Sequence, residues 1–287
     1  MPITVRVYPL RDEAFRGEGP YLAGLAKTVL EDIVAMRRRR IEEARARVPL
    51  GQVQGAAEAR SERRDFPAAL SSGALRVIAE LKRASPSRGL LRGDYRPQEI
   101  ALSYESAGAA ALSVLTEEDF FLGSLGHLEA AREAVGLPVL RKDFILDAYQ
   151  VYESVAVGAD ALLLMVAVLA DRNLRNLLEL CQRERIPALV EVHTEEEVDR
   201  ALATGARLIG VNNRNLKTME VTLETSLRLR AKIPSTCLAV SESGIKTAAD
   251  LARLAAAGFN AVLIGEQLMA APDPGRELAK LLSGAQG

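Results

Sequence analysis

The chain has no tryptophan, two cysteines and 4% aromatic residues in 287 positions. Cysteines as far apart as Cys181 and Cys237 make neither a disulfide scaffold nor a zinc site. Each reads as a small core hydrophobe, and a reducing compartment fits. Net charge is scarce too. The formal value is -1 at pH 7, so no overall basic field draws in nucleic acid or membrane. Long hydrophobic runs are missing. The longest, Ala161 to Ala170, is too short to cross a bilayer and suits a buried strand. The opening MPITVRVYPLRDEAF carries charges where a secretory signal needs an apolar core, which points to the cytoplasm.

What is present is ordinary globular material, 48% hydrophobic and 26% charged, enough for one large α/β domain or two small ones. Residues up to about Phe66 read as a charged helical extension. Leu25 to Arg47 places Leu25, Val29, Leu30, Ile33, Val34 and Ile41 at helical spacing. The run Arg37-Arg38-Arg39-Arg40 lies inside it, without aromatic residues to stack on bases, and reads as a solvated helix face.

From Val77 the chain alternates. Short apolar runs read as buried strands: Val77 to Leu81, Ala111 to Leu115, Val139 to Lys142, Ala161 to Val166, Ala188 to Val192, Leu208 to Asn212, Leu238 to Ser241 and Ala261 to Gly265. Helical patterns lie between them, among them Pro97 to Ala107, Leu146 to Val157, Asp171 to Arg185, Glu195 to Ala203 and Ala248 to Ala257. Gly108, Gly158, Gly205 and Gly258 each follow a helix at the left-handed position that ends it. Eight strands covered on both sides predict an α/β fold, a (β/α)8 TIM barrel. It forms a single domain over residues 1–287, with residues 1–66 as its N-terminal helical extension. An open doubly wound sheet is the alternative, weakened by the lack of G-x-G-x-x-G after the first strand.

A barrel gathers its chemistry at the C-terminal strand ends. Glu80 and Lys82 end the first strand on one face, before the turn-rich, positively charged and mobile loop Ser85-Pro86-Ser87-Arg88-Gly89. Arg141-Lys142-Asp143-Phe144 ends the third, Glu191-Val192-His193 the fifth and Asn212-Asn213-Arg214 the sixth. Ser241-Glu242-Ser243-Gly244 and Gly265-Glu266 end the seventh and eighth. Small residues at Ser243, Gly244 and Gly265 expose backbone N–H groups to a phosphate; the other reading of these glycines is a tight turn alone. Lys142, Glu191, Lys82 and Glu80 form an acid/base set, and Lys142 also has the chemistry for a Schiff base. Arg214 beside Asn212 suits a carboxylate and hydroxyls. Phe121 and Phe144 suit either a flat apolar pocket or the core. His193 sits beside a capping pattern, Thr194 to Glu197, and reads as structural or peripheral. His127 lies in a helical stretch with no evident partner.

The ordered motifs ELKRASPSRG, SVLTEEDFFLGS, LRKDFI, LVEVHTEEE, IGVNNRNL, VSESGI and LIGEQLM resemble indole-3-glycerol-phosphate synthase of tryptophan biosynthesis along nearly the whole chain. The resemblance implies closure, decarboxylation and dehydration of 1-(2-carboxyphenylamino)-1-deoxyribulose 5-phosphate, with no metal or organic cofactor. It implies a general acid at Lys142 and Lys82 near the phosphate, with a second acid role open to it. It implies a proton-handling Glu191 supported by Glu80, with Asn212 counted in the catalytic set. Ser85, Asn212 and Arg214 then bind the carboxylate and hydroxyls, Glu242 belongs with the substrate-binding residues, and Phe121, Phe144 and Leu216 form the aromatic pocket. Ser243, Gly244, Gly265 and Glu266 hold the phosphate. The expected partner is a small phosphorylated molecule, with no nucleic acid, membrane or obligate protein partner. Two departures stand out. No tryptophan serves the ring pocket from the extension, and Arg141 replaces a commonly apolar residue; both are expected to bear on affinity more than on the reaction. The rivals are phosphoribosylanthranilate isomerase, a Schiff-base aldolase, and a non-catalytic phosphosugar-binding barrel.

Overall fold

A computed structural model describes residues 28–71, 73–216 and 218–284. Helix α1 runs over Val29–Arg47. Thr28 caps it in a reciprocal box with Glu31, which satisfies two free N–H groups at the helix start. Leu25, where the sequence pattern begins, lies outside the described residues. Val48 is extended ahead of Pro49, a residue that disfavours helix before it, so the chain breaks there and restarts as α2, Leu50–Glu58. Helix α3, Phe66–Leu70, begins at a capping Asp65.

Strand β1 (Arg76–Leu81) opens the barrel. A small hairpin follows, β2 (Ala84–Ser85) and β3 (Gly89–Leu90). Then α4 (Pro97–Ser106), β4 (Ala111–Leu115), α5 (Leu125–Ala134), β5 (Val139–Lys142), α6 (Ala148–Ala156) and β6 (Ala161–Met165) alternate. After a 3-10 turn at Val166–Val168 come α7 (Asp171–Arg183), β7 (Ala188–Val192), α8 (Glu195–Ala203), β8 (Leu208–Asn212) and α9 (Glu224–Arg230). Strand β9 (Leu238–Glu242), α10 (Ala248–Ala256), β10 (Ala261–Ile264), α11 (Glu266–Met269) and α12 (Pro274–Gly284) complete the chain. Eight strands close in the order β1-β10-β9-β8-β7-β6-β5-β4, all parallel. This is the (β/α)8 barrel.

The strands are buried on both faces, which is why they read as unbroken apolar runs. One layer of core lies between strands and helices, and a second fills the barrel with Ile78, Leu140, Leu163, Leu189, Val240 and Leu263. Phe66 and Leu70 of α3 join this inner layer, so the link from the extension packs into the barrel interior. The four glycines after helices all have left-handed φ, from 84° at Gly205 to 95° at Gly158. The hairpin was not foreseen. It pins the stem of the 85–89 loop by pairing Ala84 with Leu90 and Ser85 with Gly89, while Pro86, Ser87 and Arg88 stay exposed.

Candidate active site

The strand ends open into one cavity of about 510 Å³. Every site residue named from the sequence lines it: Glu80, Lys82, Ser85, Phe121, Lys142, Phe144, Glu191, Asn212, Arg214, Leu216, Glu242, Ser243, Gly244, Gly265 and Glu266. Barrel register explains the convergence. Asn212 pairs with Glu242, and Lys142 lies level with Leu115 at the C-terminal strand ends.

Lys142 stands at the cavity floor. Its Nζ meets Glu191 Oε2 at 2.9 Å and Glu242 Oε2 at 3.2 Å. Burial disfavours the ammonium, but Glu191, Glu242 and Glu80 outweigh it and hold the proton more firmly than in a free lysine. Burial pushes Glu191 toward its neutral form; the Lys142 and His193 charges overcome that and keep it well below the usual carboxylate range. Glu242 is the opposite case. Burial lifts it to about 7, with Lys142 offsetting only part of the cost. Across the cavity Lys82 Nζ reaches Glu80 Oε1 at 2.8 Å, and Ser113 Oγ donates to Glu80 Oε2 at 3.2 Å.

The turn after β9 has two consecutive left-handed residues, Ser243 (φ 68°) and Gly244 (φ 81°). Asn213, buried behind it, donates to Ser243 O and Ser241 Oγ and accepts from Ser226 N–H, so it braces the turn rather than entering the cavity. Glu266 pairs with Arg88 at 2.8 Å and Arg214 at 3.3 Å. Its carboxylate is the present counter-ion of two arginines that face the same opening. Phe121 and Phe144 lie 6.2 Å apart, tilted by 41°, and share an apolar cluster with Leu216. Val29, Leu30 and Ile33 of α1 complete that wall.

Two sequence readings change, those of Arg37 and His193, and Arg141 finds its place. Arg37 is buried, not solvated: it bonds Glu118 and Asp143 across to the barrel, whereas Arg38 and Arg39 are exposed. Arg141 stays out of the cavity lining: its fully buried guanidinium turns to Thr116, to the cavity-lining Asp143, to Ser154 and to the Gln150 carbonyl. His193 is not peripheral, for its Nε2 faces Glu191 Oε1 at 3.3 Å. Thr194 caps α8 as expected, but Glu197 bonds the His193 N–H instead of closing a box on Thr194. Met165 and Lys246 line the cavity and were missed. Met165 was findable, since it ends a strand in register with Glu191.

Residues 30–281 match the family described as indole-3-glycerol phosphate synthase. The chain belongs to the indole-3-glycerol phosphate synthase family. Two indole-3-glycerol phosphate synthases are similar at 51% identity. That of Albidiferax ferrireducens aligns over 90% of this chain and 99% of its own length. That of Polaromonas sp. aligns over 88% and 97%. A solved 3-hexulose-6-phosphate synthase from Salmonella typhimurium superposes with a TM-score of 0.59 at 14% identity, over 74% of this chain and 99% of its own, a likeness of fold alone. Among the described residues no helix is long and apolar enough to cross a membrane.

Proposed function

We propose a division of labour among these residues for the family reaction. The chain is a decarboxylating lyase of tryptophan biosynthesis that converts 1-(2-carboxyphenylamino)-1-deoxyribulose 5-phosphate to indole-3-glycerol phosphate. The phosphate sits at the Ser243-Gly244 turn and Gly265, with Arg88 and Arg214 leaving Glu266 to meet charge on the substrate. The aromatic ring lies against Phe121, Phe144 and Leu216. Remote phosphate binding and this wall orient the ring carbon against the carbonyl.

Lys142 gives its proton to the carbonyl oxygen as the ring carbon attacks. Charge developing on that oxygen is met by a fixed cation in a dry site. Carbon dioxide then leaves. In dehydration Glu191 handles the proton, Glu80 supports it, and Lys82 stands near enough to Glu80 to assist the departing hydroxyl. Ser85, Asn212 and Arg214 hold the carboxylate and hydroxyls, with Glu242 beside them. We also place the enzyme in the cytoplasm, acting without an obligate protein partner.

The observation that best supports these roles is the single ammonium shared by Glu191 and Glu242 at the cavity floor. Fluorescence tests it. Purified protein given the substrate without metal should develop indole-3-glycerol phosphate emission, and Lys142→Ala should lose it while keeping its circular dichroism. Normal turnover by that variant removes Lys142 from the acid role.

A further inference from the structure

An acid shared by two carboxylates is held too well. Glu191 and Glu242 both stabilise the Lys142 ammonium, and the proton must nevertheless leave it for the substrate. Something has to draw negative charge away from Lys142. The group placed to do so is His193, outside the cavity lining and behind Glu191.

The two oxygens of Glu191 face different cations. Oε2 takes Lys142, and Oε1 faces His193 Nε2 at 3.3 Å. Both Oε1 and Nε2 are buried and lack a directed hydrogen bond, so this contact acts chiefly through charge. On the other side of the ring, Nδ1 lies 3.0 Å from Glu197 Oε2. The same oxygen accepts the backbone N–H of His193 at 2.7 Å, which locks the ring between the carboxylates. A neutral imidazole has a proton on one nitrogen and a lone pair on the other. Either neutral tautomer therefore turns a lone pair on a carboxylate. Only the imidazolium suits both neighbours.

We infer that His193 is a positioning residue that sets the acid strength of Lys142 by sharing the charge of Glu191. This rests on Lys142 being the acid. The charged groups facing the ring are Glu191 from its own strand and Glu197 from α8. The 3-10 turn Val166–Val168 and strand β8, which also pack on β7, bring no charged side chain. Burial opposes the cation, yet the two carboxylates carry the ring up to about 9. When Lys142 has given up its proton, the imidazolium remains as the counter-charge of Glu191.

Steady-state kinetics against pH test this with two variants. His193→Gln keeps a polar side chain behind Glu191 and removes the charge. Its kcat should fall about tenfold, one pK unit of acid strength, with KM within about twofold. A wild-type decline of kcat near pH 9 should be absent from it. Glu197→Gln keeps both hydrogen bonds to His193 and removes the outer charge, so that decline should move to lower pH by about one unit. An equal loss of activity at every pH in both variants, with the decline unmoved, makes His193 merely structural and overturns the inference. If His193→Gln does not fold, the shift in Glu197→Gln decides alone. Full turnover by Lys142→Ala would instead remove the reading beneath it, whatever the histidine does.

Discussion

A methyl group added at Gly265 would overlap Glu80 Oε1 and lie 3.0 Å from Glu80 Cβ. The backbone there has φ -124°, so glycine is required by space and not by conformation. Gly210 stands in the same relation to Glu242. These two glycines let a carboxylate lean over the neighbouring strand of the barrel. Gly265→Ala should therefore push Glu80 off Lys82 and lower kcat/KM by about 10- to 100-fold, or ~1.4–2.7 kcal/mol of transition-state stabilisation. Stability should fall by only about 1–2 kcal/mol, the ordinary cost of overpacking. Gly55→Ala in α2 is the control. Nothing lies within 4 Å of that position, and alanine should stabilise the helix by ~0.5–1 kcal/mol without touching kinetics. Equal kinetics for both variants would show that Glu80 has room to spare. The sequence pointed to Gly265 as a site residue through its backbone N–H; the need for space beside Glu80 was not legible there, because it is set by β1–β10 pairing across the closed barrel.

Helix α1 reaches the barrel through one row of arginines. Arg37 holds Glu118 and Asp143, Arg40 holds Asp119, and Arg45 holds Asp147. The acids lie in the loops after β4 and β5, which also carry Phe121 and Phe144. Glu117 stiffens the first loop by accepting the N–H groups of Asp119, Phe120 and Phe121. Arg37→Met should cost about 2 kcal/mol, less than a fully orphaned buried pair, since Asp143 keeps Arg141 and Thr116. It should also raise KM several-fold as Val29, Leu30 and Ile33 loosen from the ring wall. Arg40→Met, at 39% exposure, should cost under ~1 kcal/mol. Urea unfolding and KM measured on both separate the two; equal small losses would make Arg37 an ordinary surface ion pair. Arg37 was misread from sequence because its partners stand 81 and 106 residues away, whereas Arg38 and Arg39 are exposed as read. The strands were legible for the converse reason. Ala111–Leu115, Val139–Lys142, Ala188–Val192 and Leu208–Asn212 keep their predicted bounds, since burial on both faces writes itself as a local apolar run. The β2–β3 hairpin is too short to write any pattern.

A molecule with net charge -1 has little global self-repulsion near neutrality, so its stability against pH is set by a few buried groups. On the acid side His127 is depressed to about 4 by burial and Arg83. The unfolded chain takes that proton first, so stability falls as pH drops from about 6.5 toward 4. Glu191 and Asp143, both held below their usual range, are lost further down. Glu117 and Glu242, raised to about 7 chiefly by burial, work the other way, costing stability as pH climbs from 4.5 through 7. Above that His193 dominates. Its folded pKa of about 9 is raised, so its contribution is whole below the unfolded value near 6.5 and is lost as pH rises through 9. The expected wild-type loss between pH 6.5 and 9.5 is about 2–3 kcal/mol, at most 1.36 kcal/mol per pH unit for one proton. Urea midpoints at pH 6.5, 8 and 9.5 measure it, and His193→Gln should start lower and stay nearly flat. A flat wild-type curve would mean a neutral ring between Glu191 and Glu197, and a neutral ring has no charge to lend the acid at Lys142.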